Sequence, residues 1–209
     1  MLAKAMMMVA GLSMASLALA QTAPKDTEVW TPEPGRVKPG APLGAPSDAV
    51  VLFGGKDLGE WVSANAPDKP APWTVASGAF TVRGGSGDIQ TRRSFTDYQL
   101  HIEWRVPSTL TGTGQARGNS GVFLASTGNG SGYEIQILDC HDNKTYVNGQ
   151  AASIYKQHVP LVNACAAPGE WQSYDIVWTA PRFAADGTLV SPAYVTALHN
   201  GVLVQNHVA

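Results

Sequence analysis

The most concentrated set of chemically able side chains lies in Gly132-Tyr133-Glu134-Ile135-Gln136-Ile137-Leu138-Asp139. Alternation along a strand sends Glu134 and Gln136 to one face and Ile135 and Ile137 to the other. A carboxylate and an amide two positions apart on one sheet face suit sugar hydroxyls, which both donate and accept. Asp139 follows where the chain begins to turn. With Glu134 it supplies a second carboxylate for acid–base work or for holding a divalent cation, though no spacing here requires a metal. A solvated polar face would show the same pattern.

Gly118-Asn119-Ser120-Gly121 precedes the apolar run Val122-Phe123-Leu124. Small residues let another group approach the backbone closely, and Asn119 offers both hydrogen-bond polarities. His101, Glu103 and Arg105 alternate with Leu100, Ile102 and Trp104, a ladder that reads first as a cross-strand surface network. A long segment between Asp139 and Trp171 has no strand pattern and holds His141, Lys144, Tyr146, Asn148, Tyr155, Lys156 and His158. A loop of that length, where ordered, is usually functional. His199 beside Asn200-Gly201 reads as surface decoration. No HExxH, CxxC pair, P-loop, dinucleotide glycine motif or GxSxG occurs, which argues against zinc proteases, nucleotide enzymes and α/β-hydrolases.

The elements that must position these groups are short strands. Ala49-Val50-Val51-Leu52-Phe53 is a first apolar run. Trp73-Thr74-Val75 and Ala79-Phe80-Thr81-Val82 flank the turn Ala76-Ser77-Gly78. Tyr98 to Val106, Ser120 to Leu124, Tyr133 to Leu138 and Ser173 to Trp178 follow. Tyr194 to Leu198 and Val202 to Gln205 flank an Asn-Gly pair suited to a two-residue hairpin turn. No stretch keeps a 3.6-residue apolar period over ten residues. Closely spaced strands of this kind predict an all-β chain built as two packed antiparallel sheets.

Hydrophobic residues make up 44% of the chain and charged ones 14%, with 22 Gly and 14 Pro, a balance that favours strands and turns over helices. The formal net charge is −2 and no Lys/Arg cluster occurs, so nucleic acid is a poor partner. Met1 to Lys4 gives a basic start, Ala5 to Ala20 is uncharged, and Ala18-Leu19-Ala20 is a small-x-small cleavage site. This is the layout of a secretory signal peptide over 1–20, and it predicts a periplasmic or secreted protein. No later segment is apolar enough to span a bilayer. Gln21 to Pro46 carries six prolines and reads as a linker or arm over 21–47, leading into one domain over 48–209. Cys140 and Cys165 fall in loop-like stretches; an oxidising compartment would let them pair, and two separate thiols is the alternative.

Taken in order, several motifs carry a resemblance. They are Leu52-Phe53-Gly54-Gly55-Lys56-Asp57-Leu58 with Trp61, Asn119 to Leu124, Gly132 to Asp139, Asn143 to Gln150, Ser153 to Gln157, Pro168 to Ile176 and His199 to Asn206. From about 50 to 206 the chain resembles the 3-keto-disaccharide hydrolase domain family. Members usually continue past the Asn-Gly hairpin to a closing strand, which is absent from this sequence. The resemblance implies a concanavalin-like jelly-roll β-sandwich and the hydrolysis of glycosides already oxidised to a ketone at C3. Such a ketone acidifies the C2 proton, so a base can remove it, the C1 substituent can leave, and water can add. On that basis Glu134 and Asp139 are the candidate catalytic or metal-holding carboxylates, and Asn119 and Gln136 position sugar hydroxyls. Lys156, Tyr155 and His158 are candidates for the enolate and leaving-group roles, and Glu103 is a further substrate contact. The rival expectations are a non-catalytic carbohydrate-binding module on the same scaffold and a conventional glycosidase of the laminarinase type. The latter would place more carboxylates along the Glu134 strand.

Overall fold

The computed structural model describes residues 24–41, 44–128 and 131–209. The expected leader over 1–20 lies outside the described residues, as does part of the Pro-rich segment. The described residues divide into two units, one ending at Ala49 and the other running from Val50 to Ala209. In the first, a 3-10 turn spans Pro24–Thr27, and Lys38 and Ser47 exchange two hydrogen bonds of 3.0 Å.

The second unit holds twelve strands: β1 Trp61–Ser63, β2 Thr74–Ala76, β3 Ala79–Thr81, β4 Ile89–Thr91, β5 Tyr98–Trp104, β6 Ser120–Gly128, β7 Ser131–Ile137, β8 Gln172–Thr179, β9 Arg182–Phe183, β10 Leu189–Ser191, β11 Tyr194–His199 and β12 Val202–Val208. All the pairings are antiparallel. The largest sheet has the order β12-β11-β8-β5, and β6 and β7 form a separate hairpin. Leu100, Ile102 and Trp104 of β5 line up with Ile176, Tyr174 and Gln172 of β8, so one face of this sheet is largely apolar, with Gln172 buried at one end. Tyr174, Ile176 and Trp178 are buried there with Val195 and Ala197 of β11 and Val204 of β12. The β6–β7 hairpin closes over that face. Tyr133 packs on Trp178 with ring centroids 5.6 Å apart, and the Tyr174 hydroxyl donates to Gln136 O at 2.7 Å. The result is the expected jelly-roll β-sandwich. No helix among the described residues is long and apolar enough to cross a membrane.

Turn chemistry agrees with the sequence at two hairpins. Asn200 and Gly201 take φ of 52° and 77°, and Ser77 and Gly78 take 52° and 75°. Both pairs occupy the left-handed region that a type I′ turn needs at its two central residues.

Two expectations fail here. Val50 to Phe53 forms no strand; Val50 and Val51 are exposed, and Leu52 O instead accepts a 2.8 Å bond from Trp61 Nε1. This run caps a small aromatic group in which Phe53, Trp61 and Trp73 surround Phe80. His199 is not surface decoration but lies 1% exposed, packed against the rings of Trp104 and Tyr174. Burial pushes its pKa down to about 4, so the ring is neutral at pH 7, and Nε2 donates to Gln172 Oε1 at 2.9 Å.

Candidate active site

Strand pairing builds the site on the outer face of the β6–β7 hairpin. Phe123 stands opposite Glu134, and Gly121 stands opposite Gln136. The alternation that buries Ile135 and Ile137 in the core turns Glu134 and Gln136 outward. Beyond β7, residues of the long loop extend the same surface. Gln136 N–H donates to Ser153 O at 3.1 Å, Tyr155 N–H to Glu134 O at 2.9 Å, and Ile135 and Ile154 form an antiparallel bridge. This register sets Tyr155 directly opposite Glu134, on the same face.

Glu134 lies folded across Gly121. A Cβ on Gly121 would fall 2.1 Å from Glu134 Oε1, so only glycine leaves room for this placement. Half-burial and the nearby Asp88 charge both raise the Glu134 pKa, burial being the larger cause. Gln136 is fully buried behind it. One end of its amide meets Ser120 O at 2.8 Å and Glu134 Oε1 at 3.0 Å. Two acceptors there call for the nitrogen, whose two protons tie the carboxyl to the β6 backbone. The other amide end faces Gln115 at 2.9 Å.

The Tyr146 and Tyr155 hydroxyls meet at 2.5 Å, and Lys156 Nζ lies 5.3 Å from the Tyr155 ring centroid. The hydrogen bond to Tyr155, then burial, then the charges of Tyr155 and Glu134 push the Tyr146 pKa up to about 12. Lys156 has φ of 60°, and its N–H donates to Asn148 O at 2.8 Å, which folds its side chain back toward Tyr155. The loop carrying these groups is closed at its base by a Cys140–Cys165 disulfide, with Cα atoms 5.9 Å apart.

The other sequence candidates sit differently. Asn119 adjoins the group, its Nδ2 donating to Gln115 O at 3.1 Å. Asp139 is 1% exposed and paired with Arg117, Nε to Oδ2 being 2.6 Å, while its Oδ1 accepts the His141 N–H. It is therefore enclosed at the end of β7, where it secures the start of the long loop. His158 lies toward the opposite side of β7. It shares a small cavity with Tyr133 and Trp178, and Nε2 is 2.9 Å from Ala209 O. Glu103 projects from the outer face of the four-stranded sheet, opposite Ser173, and the core separates it from Glu134. Beside it His101 Nδ1 and Asp175 Oδ1 make the expected cross-strand pair, 2.6 Å apart.

Sequence reading gave no role to Tyr146, Gln115 or Asp88, which reach the group only through tertiary folding. Gly121 carried a signal, since glycine inside a strand marks close approach by another group. Among the described residues no three His, Cys, Asp or Glu side chains gather in a metal-holding set. A cleft of about 410 Å³ lies elsewhere, lined by Lys56 to Gly59, Trp73 and Arg92 among others.

An outer sheet face that joins a half-buried carboxyl, paired phenols and a lysine is the class of site an acid–base enzyme uses. Residues 48–209 match the 3-keto-alpha-glucoside-1,2-lyase-like domain, and the chain belongs to that family. It is 28% identical to a 3-keto-disaccharide hydrolase of Bacteroides thetaiotaomicron, over a match covering 65% of this chain and 55% of the relative. The chain thus spans little more than half the length of that protein. A crystal structure from Parabacteroides distasonis, provisionally assigned as a glycosyl hydrolase, is 50% identical with a TM-score of 0.83; the match covers 91% of this chain and 80% of that one. A second from the same organism, with the same provisional assignment, is 22% identical at a TM-score of 0.55, covers 74% and 69%, and shares the fold.

Proposed function

We propose that this chain is an exported hydrolase of 3-keto-glycosides, including 3-keto-disaccharides, that works by elimination and water addition. The observation that carries the reading is the placement of Glu134. Its carboxyl is half-buried with a raised pKa, yet it lies on an open face opposite Tyr155, whose ring the Lys156 ammonium covers. A raised pKa makes a carboxylate a stronger base, as removal of the C2 proton next to a ketone requires. Lys156 supplies positive charge for the enolate oxygen at O3. Phe123, opposite Glu134 and 36% exposed, offers an apolar surface to a sugar ring. Gln136 and Asp139 act through other groups, the first by orienting Glu134 and the second by fixing the loop base through Arg117. The names of the family and of the Bacteroides relative support the same substrate class.

Export follows the leader-like residues 1–20 and fits the disulfide, which oxidising compartments preserve. Cleavage after Ala20 would appear as Gln21 at the mature N-terminus. The openness of the face favours one other reading, a module that binds carbohydrate without turnover. The deciding experiment incubates the purified mature protein with 3-keto-trehalose or with trehalose, with and without EDTA, followed by mass spectrometry. Release of 3-keto-glucose from the oxidised sugar alone is the expected result, with loss in Glu134→Gln. No turnover of the oxidised sugar refutes the hydrolase reading, and binding without turnover establishes the module.

A further inference from the structure

Elimination from C1 releases an oxygen that must gain a proton, and a sugar alkoxide leaves poorly without one. Two phenols stand on the same face as Glu134. Tyr155 faces the same side as Glu134 at the directly opposed position, held there by the Tyr155 N–H bond to Glu134 O at 2.9 Å. Tyr146 arrives from a distant part of the loop to place its hydroxyl 2.5 Å from that of Tyr155. Its ring lies against Gly149, where an added Cβ would fall 1.9 Å from a ring carbon, so the backbone is shaped to seat it. Tyr146 is 42% exposed and can exchange protons with solvent.

Resting on the elimination reading above, we propose that Tyr155 protonates the departing glycosidic oxygen and that Tyr146 is a positioning residue that returns a proton to it. The C2–H bond breaks, its proton going to Glu134 and its electron pair into the enolate at O3. That pair then forms the C1=C2 bond as the C1–O bond breaks. The departing oxygen takes the Tyr155 proton, the Tyr155 phenolate takes the Tyr146 proton, and Tyr146 recovers one from water. Water then adds across C1=C2, its hydroxyl going to C1 while Glu134 returns its proton to C2, and the water's other proton neutralises the hydroxide left when Tyr146 was reprotonated. No oxidant or reductant enters. The Lys156 ammonium over the Tyr155 ring stabilises the transient phenolate, and the shared hydrogen bond keeps Tyr146 protonated between turnovers.

The test compares two leaving groups in the full chain, a 3-keto-disaccharide and 4-nitrophenyl 3-keto-glucoside. Nitrophenolate departs without a proton, so only the first substrate needs the phenols. Tyr155→Phe is expected to lower kcat/KM by about 100-fold or more on the disaccharide and by less than about threefold on the nitrophenyl substrate. Tyr146→Phe is expected to cost about tenfold on the disaccharide alone. Equal losses on both substrates in Tyr155→Phe would mean a structural role and overturn the proposal, as would full activity on the disaccharide. A wild-type protein inactive on both substrates defeats the hydrolase reading itself, whereas an active wild type with an undiminished Tyr155→Phe defeats only the relay.

Discussion

Gly121→Ala separates the placement of Glu134 from the stability of the fold. The added methyl carbon would sit 2.1 Å from Glu134 Oε1, 2.7 Å from its Cγ and 2.8 Å from its Cδ, against an ordinary contact of at least 3.4 Å. The carboxyl must therefore retreat by about 1.3 Å, which breaks its 3.0 Å contact with the Gln136 amide. Nothing else needs to move, because the obstructing atoms belong to a flexible side chain and Gly121 has no positive φ. Misplacement of a reacting group by about 1 Å costs about 100-fold in rate, or about 2.7 kcal/mol of transition-state stabilisation. The expected result is such a loss in kcat/KM on a 3-keto-disaccharide, with Tm within about 3 °C of wild type. Released into water, Glu134 also loses the burial that raises its pKa, so the acid limb of the pH–rate profile moves to lower pH. Activity within twofold of wild type and an unmoved acid limb would refute the assignment of Glu134 as the base.

Glu134→Gln tests the same carboxyl through stability. A folded-state pKa above the unfolded value of 4.5 means that folding favours the protonated form, so stability is lost as pH rises through the folded value. The variant should melt above wild type at pH 8, with the gap closing below about pH 4 in a thermal melt series. Replacing both Cys140 and Cys165 with Ser opens a loop of 25-residue separation, worth about 3.5 kcal/mol by loop entropy, and should lower the denaturant midpoint while steepening the slope, because the unfolded chain then exposes more surface. The same change frees the loop that carries Tyr146 and Tyr155, so kcat should fall with it. Arg117→Met strands the buried Asp139 carboxylate and should cost about 3–5 kcal/mol in urea unfolding, while Arg117→Met with Asp139→Asn should recover most of that.

Much of the scaffold was legible because one local rule decided it. Tyr98 to Trp104 alternates strictly, so its inward and outward faces could be assigned before any pairing was known, and Asn200-Gly201 named its own turn. Glu134 was likewise legible, as the one carboxylate of β7, at a position that alternation turns away from Ile135 and Ile137. Tyr146, Gln115 and Asp88 were not, because they join it through tertiary folding rather than through spacing. Tyr146 reaches Tyr155 by a path through the Val147–Gly149 turn that no periodicity describes. Asp139 lies just past the strand, as its position after Ile137 suggests, but spacing could not show that Arg117 draws it inward. Gln136 shares the face of Glu134 as alternation requires, but the long loop covers it, and alternation cannot tell a covered face from an open one. The Val50–Phe53 run misled because apolar composition signals burial without saying that a strand must form.

The disulfide has a further consequence, for survival against proteases. Because Cys140 and Cys165 close the loop into a covalent ring, a single protease cut anywhere within it releases no fragment. Tyr146, Tyr155 and Lys156 all lie inside that ring, so each would stay tethered to the sandwich by at least one side of the nick. A once-cut molecule would run as one species on a non-reducing gel and separate into two only when reductant is added.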